Sequence, residues 1–162
     1  MSKIAVTLML ILLSGCATLA EGPSYLDSKP ASKDSDLATI YIYRKYAEPT
    51  AWGVDVIVND QKVASLSQQG FTWFRVDPGN VNIKAVWPAL SGQKTGHLQF
   101  MAKAGAEYYV ELTGQSKLSS VMPSGVSGGV VLVAEMGSGL YLMNSIVGEQ
   151  IITECCRYQK EQ

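Results

Sequence analysis

The residues able to do chemistry are few, and their spacing discriminates among the reactions they could serve. His97 is the only histidine, in a polar stretch that begins Ser91-Gly92-Gln93-Lys94. A protein-bound zinc site needs further histidines or cysteines at ligand spacing, and none accompanies it. No metal or cofactor is therefore expected. Gly125-Val126-Ser127-Gly128-Gly129 matches the Gly-x-Ser-x-Gly pattern of a nucleophile elbow. That elbow requires a strand–turn–helix setting with acid and histidine after the serine, whereas His97 precedes Ser127, so chance explains the match better. Asp55, Asp60 and Asp77 could supply a carboxylate pair for glycoside chemistry. Each falls at a strand end or turn, where aspartate serves local hydrogen bonding. Cys155 and Cys156 are adjacent, and disulfide geometry prefers Cα atoms more than about 4 Å apart. Burial as small apolar residues thus competes with a vicinal or intermolecular disulfide.

Cys16 is a different matter. Lys3 precedes ten uncharged residues, Ile4 through Leu13. A spanning helix needs about twenty apolar residues, so this run suits the core of a signal peptide. Leu13-Ser14-Gly15-Cys16 follows and resembles the lipobox of bacterial lipoproteins. Small Ser14 and Gly15 admit the chain to a narrow peptidase cleft, and the Cys16 thiol is the nucleophile that accepts a diacylglyceryl group. The resemblance implies cleavage between Gly15 and Cys16. Two or three acyl chains make a lasting anchor, each buried methylene contributing about 0.8 kcal/mol. Ala17 follows the cysteine instead of the aspartate that commonly retains lipoproteins on the inner membrane. For a Gram-negative cell this favours the outer membrane, periplasmic face.

The chain that must position these residues has 162 positions, 47% apolar and 17% charged, with a formal net charge of −1. That profile suits a single globular domain with its own core. Loss of Lys3 on cleavage leaves twelve basic against fourteen acidic side chains. Nucleic acid, which demands a basic excess, is excluded as a partner. Residues 1–15 form the signal peptide. Residues 16–36, with Gly22-Pro23, Lys29-Pro30 and Ser32-Lys33-Asp34-Ser35-Asp36, read as the lipidated cysteine and a flexible tether. Residues 37–162 form the domain.

Within the domain the period is two. Ala38, Ile40 and Ile42 alternate with Thr39, Tyr41 and Tyr43, and Val54, Val56 and Val58 alternate with Asp55, Ile57 and Asn59. Asn59-Asp60-Gln61-Lys62 then turns the chain into Val63–Leu66 as a hairpin. Phe71–Val76 ends at Asp77-Pro78-Gly79-Asn80, which should return it as Val81–Ala85. Leu98–Met101 should pair with Glu107–Leu112 across Lys103–Ala106. These segments predict a mainly β fold, an antiparallel sandwich.

The order A-x-I-Y-I-Y-R, V-x-V-N-D-x-x-V-A-x-L, V-x-P-G and A-G-x-x-Y-Y-V, from about Ala38 to Leu112, resembles a family of small bacterial lipoproteins known as a domain of unknown function. It is more distantly similar to the immunoglobulin-like β-sandwich repeats named for a Pro-Glu-Gly-Ala motif. The resemblance implies a periplasmic sandwich and assigns no catalytic residue.

The last third is less regular. Val130–Val133 and Leu140–Met143 could pair across Gly137-Ser138-Gly139, or residues 126–147 could form a membrane segment. Against the segment stands Glu135 at its centre, at about 2.5–3.5 kcal/mol by analogy with central aspartate. Ile151–Cys156 closes the chain as a short strand or helix.

Two functions remain. The favoured one is a non-enzymatic envelope module, anchored to the membrane by lipid, that binds an envelope protein or glycan. Tyr41, Tyr43, Trp73 and Tyr109 are its candidate binding face, because alternation turns Tyr41 and Tyr43 away from Ile40 and Ile42. Tyr108 belongs to the same aromatic set. The alternative is an envelope hydrolase or small-ligand-binding enzyme using His97.

Overall fold

A computed structural model describes residues 18–123 and 130–160. The chain enters through a four-residue helix, α1 (Tyr25–Ser28), and then forms β1 (Ala38–Arg44), β2 (Val54–Val58), β3 (Gln61–Leu66), β4 (Gly70–Val76) and β5 (Gly79–Val86). A 3-10 turn, Ala89–Ser91, leads to β6 (Gly96–Ala102), β7 (Glu107–Pro123) and β8 (Val130–Met143). Helix α2 (Ser145–Cys155) and the two-residue β9 (Arg157–Tyr158) complete it.

The strands form two packed sheets, one of order β8-β7-β1-β4-β9 and one of order β3-β2-β5-β6. The fold is thus mainly β, with a short C-terminal helix. Between the sheets lie Ala38, Ile40, Ile42, Val110 and Leu112 from the first, against Val54, Val56, Leu66, Val81, Ile83 and Ala85 from the second. Each Val, Ile or Leu side chain so buried contributes about 1.5–3 kcal/mol. The expected hairpin of β2 and β3 is present, and its turn residues Asn59 and Asp60 have φ of 46° and 67°. Both central positions of such a tight turn need positive φ, which Asn and Asp tolerate better than other side chains.

Four expectations are corrected. The first sheet is mixed, because β1 runs parallel to β7 and β4 parallel to β9. The turn at Asp77–Asn80 does not close a hairpin: β4 pairs with β1, and β5 with β2 and β6. The turn at Lys103–Ala106 likewise carries the chain from one sheet to the other. Turn chemistry reverses the chain but cannot say which strand receives it. Finally, β8 is one continuous strand paired along β7, from Tyr109↔Met143 to Pro123↔Val130. The internal hairpin does not form, and among the described residues no helix is long and apolar enough to cross a membrane.

Residues 18–36 are not a free tether. Ala20 N–H donates to the Gln68 carbonyl at 2.8 Å, and Gln68 N–H to the Thr18 carbonyl at 3.0 Å. Ser24 bridges to Arg157, Tyr25 is 2% exposed, and Arg75 donates to the Ser32 carbonyl. This strap, together with α2, covers the outer face of the first sheet. Polar, turn-rich composition signals irregular backbone, and one buried tyrosine suffices to dock it.

Candidate functional site

The predicted aromatic set assembles, but under cover. Strand register places Trp73 beside Tyr41 and Tyr41 beside Tyr109, one rung across three neighbouring strands. Tyr41 stacks on Tyr109 with ring centroids 4.8 Å apart, and Tyr25 meets Tyr41 edge-on at 5.6 Å. Tyr41, Tyr43 and Tyr109 are buried and Trp73 is half-buried. The reading of Tyr41, Tyr43 and Tyr109 as an open binding face is therefore corrected: they form a second core with Phe71, Ile152 and Cys156. Alternation assigns a side chain to a face but does not reveal what lies over that face.

The lid is specific. Asn144 caps α2 by accepting from the Ile146 amide at 3.0 Å, as N-cap residues do. A Cβ on Gly148 would sit only 2.4 Å from Tyr109 Cβ, so glycine lets the helix close on the rung. The Tyr25 hydroxyl donates to Glu149 at 3.1 Å and lies 3.0 Å from the Tyr109 hydroxyl, which is left to act as donor. Trp73 Nε1 donates to the Ser28 carbonyl. Cys155 and Cys156, at the end of α2, are joined as a vicinal disulfide.

Burial drives the phenols of Tyr25, Tyr41 and Tyr43 upward, and pushes Tyr109 up to about 12. The folded state thus favours neutral phenols. The stability they lend is complete below the ordinary tyrosine value of about 10 and is lost as pH rises through the folded value. Titration of tyrosinate absorbance alongside circular dichroism should show these four ionising only as the β signal collapses. Ionisation of all eight tyrosines at about pH 11 with the fold intact would refute the burial.

The remaining chemical candidates lie apart. His97 is exposed on β6, opposite Lys84 of β5. Asp55 pairs with Lys62 at 2.9 Å and Asp60 with Lys84 at 2.7 Å, while Asp77 is exposed. Among the described residues no group of three or more His, Cys, Asp or Glu is placed to hold a metal. Gly15, Cys16 and the Gly125–Gly129 run lie outside the described residues.

Two ends of the sandwich carry features instead. At the end where β1 begins, a cleft of about 450 Å³ opens between the sheets. Leu37, Val58, Phe74 and Val76 lie along it, with Asn59, Arg75, Asp77 and Asn80 as polar groups. That size and mixture suit a small ligand or a single inserted side chain.

At the other end stands Arg44, which the sequence reading passed over. It takes the next inward position after Ile42 and is fully buried. Nη1 donates to the carbonyls of Trp52 and Leu66, and Nη2 to those of Ala47 and Pro49, at 2.6–2.9 Å. Its guanidinium lies 4.8 Å from the Trp87 ring, a cation–π contact. Burial lowers it to about 10, so it stays a cation at neutral pH. Gln68 adds a second clamp, its amide pairing with both the N–H and the carbonyl of Ala47. Together they hold the 45–53 loop, against which Gln68 also pins Thr18. A positive charge ending an apolar strand was the only signal available for this role.

A family model described as protein of unknown function (DUF2846) matches residues 34–128. No curated protein and no solved structure matches the chain.

Proposed function

We propose a function from the premise that the chain belongs to this DUF2846 family of unknown function: it is an exported lipoprotein, held on a membrane by lipid on Cys16. On that anchor the sandwich acts as a non-enzymatic binding module of the cell envelope, on the periplasmic face of the outer membrane. Residues 1–15 serve as the signal peptide, cut between Gly15 and Cys16. The observation that carries the reading is the capture of Thr18 by Gln68. Cys16 lies two residues upstream, so its Cα is within about 7 Å of a fixed point on the domain. Acyl chains there seat the sandwich beside the bilayer and turn the cleft at Asn59, Arg75 and Asp77 away from it, towards a protein or glycan of the envelope. The likeness to Pro-Glu-Gly-Ala repeats, sandwiches of bacterial surface proteins, fits the same use.

Metabolic palmitate labelling tests the anchor. Wild type should incorporate label and Cys16→Ser none, because the thioether has no other attachment point. Undiminished labelling in Cys16→Ser would sink the proposal. His97→Ala should leave envelope function intact; its loss would transfer the case to an enzyme.

A further inference from the structure

The geometry points to the Thr18 end of the sandwich as a lipid-contacting surface, with Leu19, Tyr46 and Leu90 at headgroup depth and the β7–β8 ribbon running along or into the same interface. This rests on the lipid-anchor reading and adds to it an orientation and a second, non-covalent attachment.

Three observations converge on that end. The first is the fastening of the chain two residues after Cys16: the Thr18 carbonyl accepts from the Gln68 backbone amide, and the Thr18 hydroxyl reaches the Thr50 carbonyl at 3.4 Å. The second is exposed apolar surface. Leu19 is 57% exposed, Tyr46 63% and Leu90 87%. They come from three separate segments, the strap, the loop after β1 and the 3-10 turn after β5. All three segments lie at one end. Arg44 and Gln68 hold the 45–53 loop, and Gln93 Nε2 ties the 3-10 region to the carbonyls of Glu48 and Gln115. Exposed Lys45 and Lys94 flank them, a charge suited to anionic lipid.

The third is the ribbon. β1 pairs with β7 only as far as Tyr43↔Glu111, yet β7 and β8 stay paired to Pro123↔Val130. Because β7 is parallel to β1, the surplus leaves the sandwich past the C-terminal end of β1, which is the Thr18 end. Gly114 marks the exit: a Cβ there would lie 2.2 Å from the Glu48 carbonyl oxygen and 2.8 Å from Trp87. Beyond Gln115, eight residues of β7 extend about 26 Å at the usual strand rise. The outermost pairs are apolar: Val121 with Leu132, Met122 with Val131, Pro123 with Val130. In water the unpaired edges of such a ribbon are a liability. A lone pair of strands also has two unpaired edges and cannot lie within hydrocarbon, which restricts it to the interface.

The test uses the full chain, exported and purified in detergent, then reconstituted into phosphatidylethanolamine–phosphatidylglycerol vesicles with and without brominated acyl chains. Leu90→Trp reports on the proposed surface, and Met101→Trp, exposed at the far end of β6, is the control. Leu19→Trp is a second reporter should Leu90→Trp fold poorly. Mass spectrometry of the N-terminal peptide reads the acyl group separately. The expected result is an acylated chain in which brominated lipid quenches the added tryptophan at 90 several-fold more than that at 101. Equal quenching at both positions in an acylated chain overturns the orientation and leaves the anchor standing. A chain without acyl groups that ignores vesicles overturns both. Protection of position 90 by a doubling of mass in the absence of lipid would assign the surface to a second copy and overturn the bilayer.

Discussion

Arg44→Met should cost about 4 kcal/mol of unfolding free energy in urea. The guanidinium serves the carbonyls of Ala47, Pro49, Trp52 and Leu66 and is lost to all four at once, although that of Ala47 keeps the Gln68 amide as a donor. A buried carbonyl left unpaired costs about 1–3 kcal/mol, and relaxation of the loop keeps the total below the simple sum. Arg44→Lys should recover less than half. An ammonium brings three donors on a point charge, where the planar fork serves four carbonyls and stacks on Trp87. The loss should also loosen the strap, because Gln68 touches both Ala47 and Thr18. Hydrogen exchange at Gln68 and Ala20 would show this as faster opening. A destabilisation of Arg44→Met below about 1 kcal/mol would mean that the loop holds itself and that Arg44 is no clamp.

Tyr25→Ala should cost about 3–5 kcal/mol, the range for deleting a buried aromatic side chain. Its ring packs on Tyr41 and on Phe71, and its hydroxyl links Tyr109 to Glu149. Tyr25→Phe, which removes only the hydroxyl, should cost about 1 kcal/mol. A chain beginning at Leu37 should lose at least as much as Tyr25→Ala and expose the aromatic rung to dye binding. A freely hanging segment would give no change in either case, so the urea midpoint decides between strap and tether. The result bears on function too. A docked strap leaves only Ala17 between Cys16 and the pinned Thr18, so a lipid on Cys16, as proposed, would hold the domain at the lipid surface instead of above it.

The identity of most strands was readable without coordinates. Ala38–Arg44 and Val54–Val58 declare themselves by alternation, and Asn59-Asp60 by residues that accept positive φ. These are local properties, settled by pleat geometry and backbone sterics over a few residues. The proposed anchor site at Leu13–Cys16 rests on an equally local motif, one an enzyme would read from an extended chain. Partnership between strands was not readable. Asp77-Pro78-Gly79 says that the chain turns, and only packing of two twisted sheets decides that β5 leaves β4 to join β2. Burial of the tyrosines was undetermined for the same reason. Tyr41 faces away from Ile40 in any strand, but whether that side is wet depends on a helix more than a hundred residues later, on Gly148, and on Tyr25 in a segment whose composition reads as loop. Arg44 shows the limit most plainly. Its four acceptors are backbone carbonyls, which every residue carries, so no side-chain pattern could announce them. The tertiary structure alone brings those carbonyls round one cation, and with them the strap, the loop and the ribbon to one end of the molecule.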